Sequence, residues 1–151
     1  MIYADTSFLI ALKVPIDTFH PKALSYYEER QEEIWLWSPW QRVETFNTLR
    51  QLTRHPDKRR RLSVGAARTL ISSIERDVRH GYFTHIEADW RDVLRAANET
   101  SIAHAFVLPC LPADLLHVAY ALELGAESFV SYDDEQVNLA SACGLKAVRP
   151  R

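Results

Sequence analysis

Cysteine and glycine are both scarce in this chain, which has 151 residues but two cysteines and four glycines. Cys110 and Cys143 stand apart and neither belongs to a C-x-x-C pair, so a disulfide scaffold and a thiolate zinc site are both poor readings. No apolar run reaches the roughly 18 residues that a membrane span requires. Met1-Ile2-Tyr3-Ala4-Asp5 carries no basic stretch ahead of an apolar one, so no signal peptide is expected. A reducing, cytoplasmic setting is the expectation. Gly/Ser linkers, internal repeats and low-complexity tracts are also missing, which points to one domain over residues 1–151. At 47% hydrophobic and 25% charged, the composition excludes wholesale disorder.

The net charge of -2 conceals an asymmetry. Residues 42–80 hold ten Lys/Arg and four Asp/Glu; the rest holds eight against sixteen. A basic middle segment can meet a polyanion, and can equally be a solvated pair of helices.

Apolar residues recur at three- and four-residue steps over 21–33, 41–54, 63–80, 89–100 and 113–124, the period of amphipathic helices. The last of these is apolar nearly all round, which argues burial. Gly81, Gly125 and Gly144 follow helix-like stretches, where a left-handed residue ends a helix. Short apolar runs lie between: 2–4, 34–37, 82–86, 128–131 and 145–148. Strands alternating with helices predict an α/β domain with a mainly parallel sheet of four or five strands. Ligands of such sheets bind beyond the carboxyl ends of the strands.

Acids collect at those ends. Asp5 directly follows the first strand, and Asp133 follows the fourth in Ser131-Tyr132-Asp133-Asp134. Asp114 opens the apolar helix, with His117 one turn on. Glu44 stands in the first turns of the helix after 34–37. Each acid has a plain alternative reading as a helix cap or a dipole partner. His117 reads most simply as a satisfied histidine, though it could orient an acid or contact substrate. Jointly, four elements bring a carboxylate to one edge. Two like charges at 4 Å repel by roughly 4 kcal/mol at an effective dielectric near 20. A hard divalent cation relieves that repulsion, and oxygen-only ligands favour Mg²⁺ or Mn²⁺ over zinc. Phosphodiester hydrolysis is the chemistry such a cluster suggests.

These residues resemble the PIN-domain family, and within it the VapC-type toxin ribonucleases of toxin–antitoxin pairs. Ile2-Tyr3-Ala4-Asp5-Thr6-Ser7 is similar to that family's first motif. Val43 to Leu49, Ala113 to Leu122 and Phe129 to Asp133 are similar to the next three, although Ser131 stands where Thr is more usual. The resemblance implies a three-layer αβα PIN-like fold with the first strand central, and an endoribonuclease dependent on Mg²⁺ or Mn²⁺. It implies Asp5, Glu44, Asp114 and Asp133 as the acidic site, with Asp5 and Asp114 as direct metal ligands. Ser7 and Ser131 would hold the carboxylates by hydrogen bonds. It further implies an RNA substrate, a cognate antitoxin protein and a homodimer.

The site is acidic, so affinity for RNA must come from elsewhere. Arg54, Lys58, Arg59, Arg60 and Arg61 form the basic turn that would contact phosphates, and Trp40 is the expected stacking residue. Trp35 and Trp37 share one strand face and read as core. The competing reading is a non-catalytic PIN-like module that binds RNA or protein, with the acids as caps. A receiver-like phosphoryl acceptor fits less well, because the lysine it requires after a strand, Lys146, lies inside one.

Overall fold

A computed structural model describes residues 1–151. Five strands form one sheet: β1 (Ile2–Ala4), β2 (Trp35–Trp37), β3 (Thr84–His85), β4 (Ser128–Val130) and β5 (Lys146–Val148). Their order is β3-β2-β1-β4-β5, and every pairing is parallel. Seven helices connect them: α1 (Thr6–Lys13), α2 (His20–Glu28), α3 (Pro39–Leu52), α4 (Val64–Arg79), α5 (Trp90–His104), α6 (Pro112–Glu123) and α7 (Asp134–Ala142).

The side-chain period of two sorts each strand between two cores. Ile2, Ala4, Trp35, Trp37 and Val130 join a core built with α1, α2, α3 and α4. Tyr3, Leu36 and Phe129 face the other way, into a core with α5, α6 and α7. Helices therefore cover both faces and the architecture is three-layered. This explains why the strands read as unbroken apolar runs: a sheet buried on both faces needs apolar side chains in both directions. Trp35 and Trp37 are core residues. Phe8, fully buried at the start of α1, stacks on Trp35 with ring centroids 5.5 Å apart and on Tyr132 at 6.0 Å.

Local signals set the helix ends. Ser38 caps α3 through a reciprocal bond pair with Gln41, so the helix starts at Pro39 rather than 41. α2 stops at Glu28, short of the expected 33, and α5 runs on to His104 rather than 100. Residues 101–104 do not continue the buried stripe, and Ile102 is exposed, so apolar periodicity gave no sign of them. β3 is only two residues, and Tyr82 lies exposed before it. Gly125 ends the turn after α6 at φ +67°, a region that costs other residues roughly 1–2 kcal/mol.

The sheet order positions the site. From β1 the chain steps outward through β2 and β3, then returns to β1's other side with β4 and β5. The reversal opens a crevice beyond the carboxyl ends of β1 and β4.

Phe8 clamps α1 to the sheet next to this crevice. Phe8→Ala is expected to cost about 3–5 kcal/mol in chemical denaturation, the usual range for emptying a buried aromatic site.

Candidate active site

Asp5 is the first residue after β1 and stands in the crevice. Its amide continues the strand pairing by donating to the Val130 carbonyl (3.0 Å), so the carboxylate is placed by the sheet itself. Asp5 is 3% exposed. It caps α1 by accepting from the Phe8 N–H (2.9 Å). The Ser7 hydroxyl donates to it at 2.8 Å, and the Ser131 hydroxyl at 2.7 Å from the end of β4. Ser131 in turn accepts from the Asp133 N–H (2.8 Å), and Ser7 accepts from the Tyr132 N–H (2.9 Å). The two serines thus tie the ends of β1 and β4 together around one carboxylate. Burial pushes the Asp5 carboxyl above its ordinary range, although His117 and these donors pull against it.

Glu44, half-buried on α3, accepts hydrogen bonds from His117 Nε2 and from the Thr6 hydroxyl. Burial acts to raise its pKa, but the His117 bond and charge, helped by Thr6, prevail and lower it. An ionised carboxylate can only accept, so Nε2 carries the proton. Nδ1 stands within hydrogen-bond distance of the Tyr3 hydroxyl (3.0 Å), whose own pKa burial drives well up. The Ser38 hydroxyl lies 3.4 Å beyond Tyr3. His117 is 1% exposed and fully engaged. It is a satisfied histidine, as expected, and it also orients an acid: Glu44, from 73 positions away, rather than Asp114.

Asp114 lies in the first turn of α6. One oxygen accepts from the Leu111 N–H (2.6 Å), the other from the Gln136 side-chain amide (2.8 Å). Asp133 is exposed and caps α7 through the Glu135 N–H (2.8 Å) and, more weakly, the Gln136 N–H (3.4 Å). Asp5 and Asp133 are therefore N-caps, and Asp114 reaches back from the third position of α6 to the Leu111 N–H, so all three carboxylates satisfy backbone N–H groups at helix starts. Intermediaries link the four acids: Ser131 joins Asp133 to Asp5, Gln136 joins Asp133 to Asp114, and Thr6 and His117 join Glu44 to the ends of β1 and α6. Thr6 and Gln136 escaped the sequence reading. Thr6 follows Asp5 and stood in view; Gln136 sits in a stretch with no other signal.

No three His, Cys, Asp or Glu side chains converge as a ready-made metal cage. The donors at hand are hard oxygens. Gln136 Oε1 is buried with no hydrogen-bond partner, while the same amide's nitrogen holds Asp114. An orphaned buried acceptor beside carboxylates suits a small cation that takes one or two carboxylates and fills its shell with water and phosphate oxygens.

A cavity of about 410 Å³ opens from the site, lined by Thr6, Ser7 and Asp133, by apolar residues of α1 such as Ile10, and by Arg60. Of the other expected phosphate contacts, Arg59 pairs with Asp57 at 3.6 Å and Arg61 donates to the His55 carbonyl at 2.7 Å. Lys58 and Arg54 are exposed, and Arg54 lines a different cleft. Trp40 is half-buried and meets His117 edge to face at 6.0 Å, its indole N–H unpartnered. Asp134 pairs with Arg149 rather than joining the acids.

No family model matches this sequence, and no curated protein matches it significantly. Solved structures do. VapC20 of Mycobacterium tuberculosis, described as a toxin cleaving the sarcin–ricin loop, superposes with a TM-score of 0.71 at 21% identity over 99% of this chain and 100% of its own. FitAcB from Neisseria gonorrhoeae gives 0.70 at 16% identity, over 97% of this chain and 96% of its own. PAE2754 from Pyrobaculum aerophilum gives 0.62 at 18% identity, over 98% and 82%. The chain has the PIN-like three-layer fold that its motifs resemble.

A carboxyl whose pKa rises on folding contributes most to stability below the ordinary carboxyl range, and the contribution is lost as pH climbs through its folded value. Asp5→Asn keeps the shape and removes the buried charge. In EDTA, the melting temperature of this variant is expected to gain on that of the unsubstituted chain as pH rises from acid to neutral. Parallel curves would show that Asp5 carries no such penalty.

Proposed function

We propose that this chain is a metal-dependent endoribonuclease, the toxin of a toxin–antitoxin pair, which hydrolyses RNA phosphodiester bonds at the crevice beyond β1 and β4. The observation that carries the reading is Asp5: a buried carboxylate at the topological switch point, fixed by two serine hydroxyls and a helix N–H, with a raised pKa. Once ionised, a carboxyl whose pKa is raised by burial costs the fold stability, and burial of that kind marks functional sites. The fold likeness to VapC20, a described RNA-cleaving toxin, supports the same reading.

Asp5 and Asp114 would hold Mg²⁺ or Mn²⁺, with Gln136 Oε1 close to Asp114. Bound there, the ion would supply Lewis-acid activation of water and neutralise charge on the phosphate. The chain's own residues do the rest. Ser7 and Ser131 fix both oxygens of Asp5, so its lone pairs stay aimed without reorganisation. His117 and Thr6 keep Glu44 ionised and oriented, so that it would help position water in the crevice. Asp133, exposed at the mouth, keeps the approach acidic.

An antitoxin would occupy the cavity beside Asp133. Its walls are apolar at Ile10, Val14, Phe19 and Tyr132, and Arg60 provides a cation, which suits an amphipathic protein segment. A homodimer would form across the end of α5 and the loop after it, where Ile102, Phe106, Val107 and Leu111 are all exposed. Light scattering should find a dimer that Phe106→Ser with Val107→Ser converts to monomer.

The deciding experiment incubates a total RNA pool with pure protein and Mg²⁺, Mn²⁺ or EDTA. Discrete fragments are expected with either metal and none with EDTA. Asp5→Asn or Asp114→Asn should reduce cleavage by at least about 100-fold, the scale of losing one preorganised electrostatic group. Wild-type rates in either variant would defeat the reading. RNA left intact by folded, partner-free protein would favour the non-catalytic binding module.

A further inference from the structure

A second cleft, of about 710 Å³, runs between α3 and α4 on the outer side of the molecule. The two helices are antiparallel: the Arg42–Glu75 ion pair closes one end, and the Leu62 N–H donates to the Leu52 carbonyl (3.2 Å) at the other. Between these points Arg50, Arg54 and Arg68 line the cleft beside Asn47, Gln51 and Ser72, and no lining residue is acidic. All three arginines are exposed. None takes part in an ion pair, and none of their guanidinium groups is in a hydrogen bond within the chain.

Arg60, Arg79 and Arg151 share that freedom, but only Arg50, Arg54 and Arg68 line one cleft together. Arg30, Arg42, Arg59, Arg91, Arg95 and Arg149 each find a carboxylate nearby. Three unpaired guanidinium groups lining one acid-free cleft repel each other weakly through water, and a bound polyanion turns that into attraction. Asn47, Arg50 and Arg54 recur at three- and four-residue steps, so they form one stripe along α3. The stripe starts beside Glu44, three residues before Asn47. Arg50 lies six residues from Glu44, about 9 Å along the helix at 1.5 Å per residue.

We propose that this cleft is a phosphate track for single-stranded RNA, in which Arg50, Arg54 and Arg68 hold the backbone of a strand whose continuation reaches the acidic crevice. The inference rests on the nuclease reading for its direction but concerns binding alone. Charges repeated along a helix match the repeating charges of a nucleic-acid backbone, and guanidinium forks suit phosphate oxygens. Val64, Ala67 and Ile71 are the only hydrophobic residues of the lining, with no aromatic side chain among them, whereas the cavity beside Asp133 offers a protein segment Ile10, Phe19 and Tyr132. The track positions RNA and leaves sequence choice to other contacts.

The test uses the full chain in EDTA, so that binding is read apart from cleavage. A fluorescent single-stranded RNA 20-mer is titrated by anisotropy at several salt concentrations. Each lost phosphate contact should lower the slope of log affinity against log salt by about 0.7, so Arg50→Gln with Arg54→Gln and Arg68→Gln should lower it by about 2. Arg91→Gln with Arg95→Gln, on α5, should leave it unchanged. Arg68→Gln alone, lowering the slope by about 0.7, gives the same answer should the triple variant fold poorly by circular dichroism. An unchanged slope overturns the track, as does the absence of RNA binding at low salt. A fluorescent oligoglutamate peptide bound by the unsubstituted chain and released by the triple variant, with the RNA slope unaltered, would reassign the cleft to an acidic protein. Cleavage in Mg²⁺ is scored separately: a lowered slope without cleavage retains the track and removes the nuclease, and cleavage with an unaltered slope does the reverse.

Discussion

A single carboxylate out of water organises the site. Asp5 is buried, and a buried charge is tolerable only where donors replace the water it has lost. Ser7 and Phe8 provide them from the first turn of α1, and Ser131 from the end of β4. The demand therefore fixes three things together: where α1 begins, how β1 and β4 end, and which way the 131–133 turn points. The same serines also receive the backbone N–H groups of that turn, so each hydroxyl on Asp5 both donates and accepts. Removing either hydroxyl would leave a buried acceptor short of a partner, at a cost on the order of 1–3 kcal/mol.

Glu44 presents the opposite electrostatics. Asp5 has its pKa raised because desolvation wins, whereas Glu44 has its pKa lowered because His117 and Thr6 win. Two carboxyls at one crevice with pKa values pushed apart can divide the labour, one taking up charge on binding and one holding it throughout. Deep burial of Asp5 and the direct His117 hydrogen bond to Glu44 separate them. The arginine cleft lies one helix further out and works at longer range, drawing a polyanion towards a crevice that would itself repel it.

The layered fold and the edge that carries the acids were both legible in the sequence, because strand and helix periods and the residue after each strand are local properties. Asp5 was legible for that reason, as was the capping behaviour of Asp114 and Asp133, whereas the hold of Ser7 and Ser131 on Asp5 followed only from the motif resemblance. The ties between them were not. His117 reaches Glu44 across 73 positions and Gln136 reaches Asp114 across 22, and neither spacing leaves a periodic trace. Trp40, expected as a free stacking surface, lies against His117 because Ser38 starts α3 two residues earlier than the apolar stripe suggests. The basic segment was visible as composition, but composition cannot separate Arg59, neutralised by Asp57, from Arg50 and Arg68, which tertiary packing leaves unpaired.

Tyr3 gives the crevice a property of a different kind. It points into the core of α5, α6 and α7, whereas Ala4 next to it points into the core of α1 to α4, and Asp5 follows directly. Through Tyr3, His117 and Glu44 the acids are bonded to side chains from both layers. Neither layer can detach as a separate unit without breaking this seam, so backbone amides at the end of β1 should exchange with solvent only when the whole domain opens. Rigidity here comes from position: the acids stand where two cooperative units have been made one.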